Sequence, residues 1–569
     1  MGLDRQHKVA PLLTIAAASI LLSMPLLLHG PLPDGHDLDE HRNLITHFEE
    51  QFKDGEFYPR WLANMNHGLG SPTLFVFPPL PAYVCLALSP LGHFHHVDVF
   101  TLSIFLTLLG SGVCGFLWLQ PLFGNATSAF SAVLYMLMPY HLVIDYYRRC
   151  AIPECWAFVW MPLILYFVYQ LGQRKPSSLF GVAFACALMM FSHVVTFVIF
   201  FPLPIGMSML QAPSGKRLRS AGQVMMAMLL GAGIAAVYLL PAVENSRYIP
   251  ASRLVSRGFF QLSNQLISVP GTLIPARAGD SWQHFLRLIG LSAVSQIVLV
   301  GISVACTWKS WSRELKRVSM FLLLVCLCSF LLILDFSWPV WRELPLLHQA
   351  IQFPWRFNAL LCFGTLWFAA VLSAHLRSSS IRLPVLACLG LVLVAWVGGY
   401  VSIWSHYRVA VLPGPPNERH LISDHDGWLP AWLPPGTDQR SALAATTGPK
   451  IRFRQGSGTV NLIRWSPRLI EFEAVAHGPS EIMINQFYYP RWRAQVADGT
   501  PITIGTAIPE GLLSIPVRPG QQKIRVEMPV SLPERLGRWL SVLSCSICVS
   551  ALAPWRRKQC FQANFAGME

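Results

Sequence analysis

The sequence has few charged residues for its length. Asp, Glu, Lys and Arg make up 13% of the 569 residues, whereas hydrophobic residues make up 53%. A soluble domain carries about 25% charged residues, and a charge in the hydrocarbon of a bilayer is costly. This scarcity excludes a chain built only of soluble domains. It predicts a large membrane part and a smaller polar part.

Several motifs of soluble enzymes are also missing from the sequence. We find no Walker motif, no Rossmann fingerprint and no zinc-ligand spacing. The thirteen cysteines are scattered, and many lie in apolar runs, as Cys326 and Cys328 do. This pattern excludes a disulfide framework and favours cysteine as a small apolar side chain. The sequence predicts no certain cofactor.

The net charge of +14 raises the question of nucleic acid binding. The Lys and Arg residues, however, lie mainly in short segments between apolar runs, which is the positive-inside pattern of membrane proteins. Examples are Arg174 with Lys175, and Arg556 with Arg557. The basic charge therefore predicts an orientation in a lipid bilayer, and no nucleic acid partner.

Apolar runs of about 20 residues predict membrane-spanning helices. Twelve such helices place the basic clusters on one side, so we expect both termini in the cytoplasm of a bacterial inner membrane. The predicted spans are 10–29, 98–118, 126–142, 153–172, 177–191, 194–210, 222–241, 285–306, 317–334, 357–374, 382–404 and 535–553.

Two apolar runs need a choice. The run 10–29 is longer than the core of a signal peptide and lacks a cleavage site, so it predicts an uncleaved first helix. The run 73–92 contains four prolines. Counting it as a span would reverse every later loop, so we interpret it as an interfacial or re-entrant segment on the outer face.

The predicted domains follow from this topology. Residues 1–404 form the membrane domain, with outer loops at 30–97, 242–284 and 335–356. Residues 405–533 form an outer, periplasmic or extracellular domain, and 534–569 form a last helix and a cytoplasmic tail. Short alternating stretches punctuated by Gly, Pro and Asp predict an antiparallel β-sandwich. They are 450–454, 459–464, 469–475, 481–488, 491–496, 511–517 and 523–528, after an irregular segment at 405–449.

The first outer loop begins with the acidic motif Gly35-His36-Asp37-Leu38-Asp39-Glu40-His41-Arg42. A polar helix over roughly 38–54 is expected to follow, with Asp37, Glu40 and His41 on one face. A carboxylate at the membrane surface is suited to general-base catalysis. The same group could hold a divalent metal beside a lipid phosphate, and the alternative without function is a solvated acidic loop.

Further motifs follow in the same loop. They are Gly55-Glu56-Phe57-Tyr58-Pro59-Arg60-Trp61, Gly68-Leu69-Gly70-Ser71-Pro72 and Phe77-Pro78-Pro79-Leu80-Pro81. With the preceding Asp, this order resembles the GT-C superfamily of membrane glycosyltransferases. It is most similar to the bacterial membrane proteins labelled 6-pyruvoyl-tetrahydropterin synthase-related, and to YfhO-like proteins. The order Asp37-x-x-x-His41-Arg42 also resembles the acidic first-loop motif of the dolichol-linked glucosyltransferases. The pair Asp39-Glu40, with Gly55 downstream, resembles the pattern of the aminoarabinose transferases instead.

Three later motifs strengthen the resemblance. Arg149-x-x-x-x-Glu154 resembles the family's Arg and Glu before a helix, and Gln352-Phe353-Pro354-Trp355-Arg356 resembles another element. The segment 487–492, with Asp498-Gly499, resembles the β-domain ending of YfhO-like proteins.

The resemblance implies transfer of a sugar from a polyprenyl-phosphate donor to a glycan, lipid or protein acceptor on the outer face. Asp37 is then the preferred catalytic carboxylate, with Glu40 second and Asp39 third. The implied substrate- and phosphate-binding residues are His41, Arg60, Arg148, Arg149, Glu154, His193 and Arg356. Arginine suits phosphate because its planar group binds two oxygens at once. For His193, which lies between two apolar runs, a structural role is the alternative.

Two other functions stay open from the sequence. One is a transporter or flippase of a lipid-linked sugar, although we find no inverted repeat. The other is a non-catalytic membrane scaffold with a GT-C-like fold.

Overall fold

The structure is a computed structural model that describes residues 2–92, 98–175, 177–248, 261–273, 281–377, 383–410 and 433–565. Among these residues, eight helices are long and apolar enough to cross a membrane. They are Val99–Phe123, Asn125–Arg149, Ile152–Gly172, Val194–Gln211, Ser281–Ser310, Arg313–Ile333, Pro354–Leu376 and Val385–Tyr407. The chain is therefore a multi-pass membrane protein.

All eight helices coincide with predicted spans. A ninth predicted span, 222–241, falls on Ser214–Ile234 and Ala236–Ser246, a helix pair bent by 74°. The other three are less regular. Ser178–Ser192 has 15 residues, the first helix breaks at Ser23 into Gly2–Leu22 and Met24–His29, and 535–553 lies within Leu532–Phe565. The count of twelve spans thus stays a prediction.

Shorter helices fill the segments between these long ones. The polar helix of the first loop runs from Leu38 to Lys53, as expected. The proline-containing run 73–92 forms Thr73–Val76, Leu80–Leu88 and a 3₁₀ turn at Ser89–Leu91. The remaining short helices are Met65–Gly68, Ser214–Lys216, Leu262–Asn264, Val269–Leu273, Asp335–Ser337, Trp338–Glu343, Pro345–Ile351, Pro354–Phe357 and Gln439–Thr446.

The C-terminal region contains all seven predicted strands and two short strands that the sequence did not reveal. The strands are β1 Ile451–Gln455, β2 Gly458–Ser466, β3 Leu469–Ala476, β4 Ser480–Phe487, β5 Arg493–Val496, β6 Pro501–Ile502, β7 Gly505–Ala507, β8 Leu512–Val517 and β9 Gly520–Glu527. They form two sheets, in the orders β1-β4-β8-β7 and β2-β3-β9-β5-β6, and every pairing is antiparallel.

The expected irregular segment 405–449 differs from the structure in two places, the first being its start, where the helix Leu383–Ala410 continues to residue 410. At the second place, Gln439–Thr446 is a helix, and its N-terminus is capped by Asp438, whose carboxylate accepts a hydrogen bond from the Ser441 amide at 2.8 Å. Such a cap satisfies an otherwise unpaired amide of the first turn. Part of the segment lies outside the described residues.

The β-rich region shares its core with the first outer loop. Buried side chains of both sheets, such as Phe472 and Ile482, belong to the same hydrophobic cluster as Trp61, Leu69 and Phe75. The Trp61 indole donates a hydrogen bond to Gln486 Oε1 at 2.7 Å, and the Phe487 amide donates one to the Leu69 carbonyl at 2.6 Å. The Pro-Arg-Trp and Gly-x-Gly-x-Pro motifs of the first loop therefore pack against the β-rich region.

Candidate functional site

The acidic motif is fixed to the end of the helix that precedes residue 150. The His36 amide donates to the Arg148 carbonyl at 3.1 Å, and the Asp37 amide donates to the Arg149 carbonyl at 2.8 Å. Gly35 permits this approach, because a Cβ atom there would lie 2.9 Å from Cys150 Sγ. Asp37 is consequently held at the start of the helix Leu38–Lys53, beside Arg149.

Arg149 lies at the centre of a cluster of three carboxylates, which we call the Arg149 cluster. Its Nη1 lies 2.6 Å from Asp145 Oδ1 and 2.7 Å from Glu154 Oε2, and its Nη2 lies 3.1 Å from Asp37 Oδ2. Asp145 and Glu154 are 0% and 1% exposed, whereas the Asp37 side chain is 36% exposed. The cluster thus has a buried side and one accessible carboxylate.

The local backbone explains how Arg149 and Glu154 meet. Tyr140–Arg149 winds as a π-helix, a rare form that is frequent at functional sites. It ends at Cys150, which has a left-handed φ of 54°, and the next helix begins at Ile152. This reversal turns Glu154 back toward Arg149, and the Tyr140 hydroxyl donates to Glu154 Oε1 at 3.0 Å.

The motif 352–356 supplies the opposite wall of the cluster. Within the 3₁₀ turn Pro354–Phe357, the Trp355 ring lies 4.9 Å from the Arg149 guanidinium carbon, at a distance that allows a cation–π contact. Arg356 Nε lies 3.9 Å from Glu154 Oε2, and its Nη1 donates to the Ile351 carbonyl at 2.7 Å. Asp37, Arg149, Glu154 and Arg356, all predicted site residues, are therefore brought together.

Asp145 is a member of the cluster that sequence reasoning missed. Its Oδ2 atom is buried and accepts no hydrogen bond from the described residues. The predicted span ends at residue 142, before Asp145, whereas the helix continues to Arg149. An acidic residue within an apolar helix is a functional candidate in its own right, and that pattern could have identified it.

Arg148 and His193 lie beside the cluster. Arg148 Nη1 is 3.8 Å from Asp34 Oδ2 and 3.2 Å from His406 Nε2, in a partly exposed group. His193 is buried, and its Nδ1 lies 2.6 Å from Thr196 Oγ1. His193 also interacts electrostatically with Glu154, so it borders the buried side of the cluster.

The expectation that Asp37, Glu40 and His41 share a face differs from the structure. His41 lies on the buried face with Leu44 and Phe48, whereas Glu40 is exposed, because the apolar stripe of this helix includes position 41. Burial lowers the pKa of His41 to about 4, so the imidazole is neutral at pH 7. The pKa of Glu40 is raised, first by the surrounding protein atoms and then by the charge of Asp37. Asp39 is exposed.

Arg60 lies in a second cluster, away from Arg149, which we call the Glu534 cluster. Glu534 Oε2 lies 3.4 Å from Arg60 Nε and 3.0 Å from Arg468 Nη1, and Arg491 donates to Glu534 Oε1. Burial raises the pKa of Glu534, but the hydrogen bonds and charges of Arg468 and Arg491 outweigh it and lower that pKa to about 2. This cluster joins the first loop, the β-rich region and the last helix.

The described part of the chain contains no group of three or more His, Cys, Asp and Glu residues arranged to hold a metal ion. Asp37 is instead paired with Arg149. The residues around Asp37 therefore do not fit the donor set that a divalent metal prefers.

Comparison with known proteins adds little to this geometry. No protein-family model matches the chain, and no curated protein matches it. Among solved structures, the chain is similar to the arabinofuranosyltransferase AftD from Mycobacteria, with a TM-score of 0.42 and 18% sequence identity. The match covers 73% of this chain, which spans only 28% of the length of AftD. A likeness this weak carries no argument about function.

Proposed function

We propose that the protein is a GT-C-type glycosyltransferase. It transfers a sugar from a polyprenyl-phosphate donor to a glycan, lipid or protein acceptor at the outer membrane–water interface. The observation that supports this function is the Arg149 cluster. In it the partly exposed carboxylate of Asp37 contacts the buried Arg149, and a second buried arginine, Arg356, lies 3.9 Å from Glu154 of the same cluster. We infer that both termini are cytoplasmic and that the β-rich domain is periplasmic or extracellular.

The proposed roles follow from the chemistry of the side chains. The oxygen of the acceptor hydroxyl attacks the anomeric carbon of the sugar, and Asp37 accepts the proton of that hydroxyl. The bond to the phosphate oxygen breaks, and that oxygen leaves with the electron pair. Arg149 and Arg356 stabilise the charge that develops on the leaving phosphate. Glu154 holds Arg149 in place through a contact of 2.7 Å. Arg148 adds a further positive charge beside the cluster.

Glu40 is the second candidate for the base. Its exposed carboxylate makes no ion pair within the described residues, and its pKa is raised, which makes the carboxylate a stronger proton acceptor. Asp37 is preferred because its carboxylate contacts the arginine that we assign to the phosphate. The positions of the two side chains therefore make Asp37→Asn and Glu40→Gln a direct test of which one acts.

The test is a lipid analysis of cells that express the wild-type protein, Asp37→Asn, Glu40→Gln, or no protein. Polyprenyl-phosphate sugars are quantified by mass spectrometry, and Asp54→Asn is the control because Asp54 is an exposed carboxylate at the other end of the same helix. We expect one donor lipid to accumulate equally with Asp37→Asn and without the protein, and to stay low with Asp54→Asn. Unchanged lipids in every strain would contradict the proposal and favour a scaffold.

A further inference from the structure

The two terminal nitrogens of Arg149 have different surroundings. Nη1 contacts Asp145 and Glu154 at 2.6 and 2.7 Å, and both carboxylates are buried. Nη2 contacts Asp37 at 3.1 Å, and the Asp37 side chain is the accessible one of the three. One edge of the guanidinium is thus anchored, and the other edge has a partner that solvent reaches.

The anchoring extends beyond the carboxylates. The Trp355 ring lies 4.9 Å from the guanidinium carbon, and the Asp37 amide is bonded to the Arg149 carbonyl at 2.8 Å. The backbones of residues 37 and 149 are therefore fixed to each other. Rotation of the Asp37 side chain is the smallest change that separates Asp37 from Nη2.

A buried donor group without a hydrogen-bond partner lies beside Glu154, which itself contacts Arg149. Arg356 is 8% exposed, and its buried Nε–H donates no hydrogen bond to any described residue. The nearest carboxylate oxygen, Glu154 Oε2, is 3.9 Å away, beyond hydrogen-bond distance. A buried N–H group that lacks a partner is costly, so an anion that reaches both Arg356 and Arg149 would relieve that cost.

We propose that the donor phosphate and the Asp37 carboxylate are alternative partners of Arg149 Nη2. This inference rests on the proposed function. When the phosphate takes the Nη2 edge and the Arg356 Nε–H, Asp37 is released and its oxygens are free to accept a proton. Before that, the arginine occupies the carboxylate that must act as the base. Binding of the donor would thus precede activation of the acceptor.

The exchange makes a counterintuitive prediction about binding. Asp37→Asn removes the competitor for Nη2, so a phosphate should bind more tightly to the variant, although the variant is inactive. An ion pair of this exposure is worth up to about a fivefold change in a binding constant. We therefore expect about three- to fivefold tighter binding of a short-chain polyprenyl monophosphate to the full-length variant in detergent, measured by calorimetry.

One control and one further variant separate the exchange from simpler effects. Asp39→Asn removes a neighbouring exposed charge that does not contact Arg149, so equal tightening there would show a general field effect and overturn the proposal. Asp37→Ser serves as a second variant if Asp37→Asn does not fold. It removes the carboxylate without offering an amide.

The remaining outcomes are also decisive. Unchanged or weaker binding to Asp37→Asn and Asp37→Ser, with clear binding to the wild type, would overturn the exchange and leave the proposed glycosyltransferase intact. No binding of the lipid phosphate to the wild type would overturn both.

Discussion

The Arg149 cluster and the Glu534 cluster have opposite compositions. In the first, one arginine contacts three carboxylates, and in the second, one carboxylate contacts three arginines. Both contain a residue of the segment 30–97, Asp37 in the first and Arg60 in the second. They differ in access, because Asp37 is 36% exposed, whereas Glu534 and Arg60 are 0% and 1% exposed.

This difference in access distinguishes a cluster that can bind a ligand from a cluster that only stabilises the packing of the segments around it. A closed ion cluster has no surface on which a ligand could act, and breaking it leaves buried charges without compensation. A cluster with one accessible member can exchange that member while the others stay fixed. We therefore propose that the Arg149 cluster takes part in the chemistry and that the Glu534 cluster stabilises the packing of the first loop, the β-rich region and the last helix against one another.

The largest expected effect on stability is that of Glu534→Gln. The substitution leaves Arg60, Arg468 and Arg491 buried or half-buried around a neutral side chain, and such a loss costs about 3–5 kcal/mol. Thermal unfolding of the purified protein in detergent, followed by tryptophan fluorescence, measures it. The control is Glu527→Gln, which removes the partly exposed ion pair with Arg525 and should cost less than about 1 kcal/mol. Similar stability of the two variants would contradict the structural role proposed for the Glu534 cluster.

The next effect concerns the contact of the first loop with the β-rich region. Gly70 has φ +86°, and a Cβ atom there would lie 2.4 Å from Trp61 and 2.6 Å from Gln486 Oε1. Gly70→Ala should lower the free energy of unfolding by about 1–3 kcal/mol beyond the effect of the backbone conformation. Gly68→Ala is the matched control, since Gly68 has φ +83° and open space where a Cβ atom would lie. Equal loss in the two variants would mean that the packing of Trp61 tolerates the added methyl group.

The sequence revealed a large share of this architecture. Eight predicted spans and all seven predicted strands are present, because long apolar runs and alternating patterns report burial directly. It also indicated that Arg149, Glu154 and Arg356 belong together, through short motifs in a set order. These elements depend on local pattern, which a single sequence contains.

What the sequence did not reveal depends on contacts between distant residues. Glu534 meets partners from the first loop and from the β-rich region, and no local pattern links position 534 with 60 or 468. Asp145 was missed for a different reason, because the π-helix extends the apolar helix past the predicted end at 142. The first-loop motif 59–72, interpreted from family order, turned out to support the β-rich region.

The stability of the protein should respond to acid in two separate pH ranges, one set by His41 and the other by Glu534. The pKa of His41 is about 4 in the folded state against 6.5 ordinarily, so the unfolded chain binds the proton first and stability falls as pH drops from 6.5 toward 4. Glu534, with a folded pKa of about 2, contributes stability that is lost only below pH 4.5. Between pH 7 and 5, His41→Gln should therefore flatten the decline, by at most about 2 kcal/mol at pH 5. Parallel decline in the variant and the wild type would assign the acid sensitivity to other histidines.

The smallest expected effect on stability is that of Asp37→Asn. Arg149 keeps both buried carboxylates, and the amide of residue 37 keeps its bond to the Arg149 carbonyl, so the loss should be below about 1 kcal/mol. Activity should nevertheless fall by about 10²- to 10⁴-fold, as expected for a missing general base.

The matched variant is Glu154→Gln, which alters the buried side of the same cluster. Glu154 contacts Arg149 at 2.7 Å and accepts from Tyr140 at 3.0 Å, so its loss should destabilise the fold far more than the loss of Asp37. Thermal unfolding and donor-lipid accumulation, measured on both variants, separate the two effects. If Asp37→Asn unfolded as readily as Glu154→Gln, Asp37 would have the same structural role as the buried carboxylates. The proposed difference in function between the Arg149 cluster and the Glu534 cluster would then be wrong.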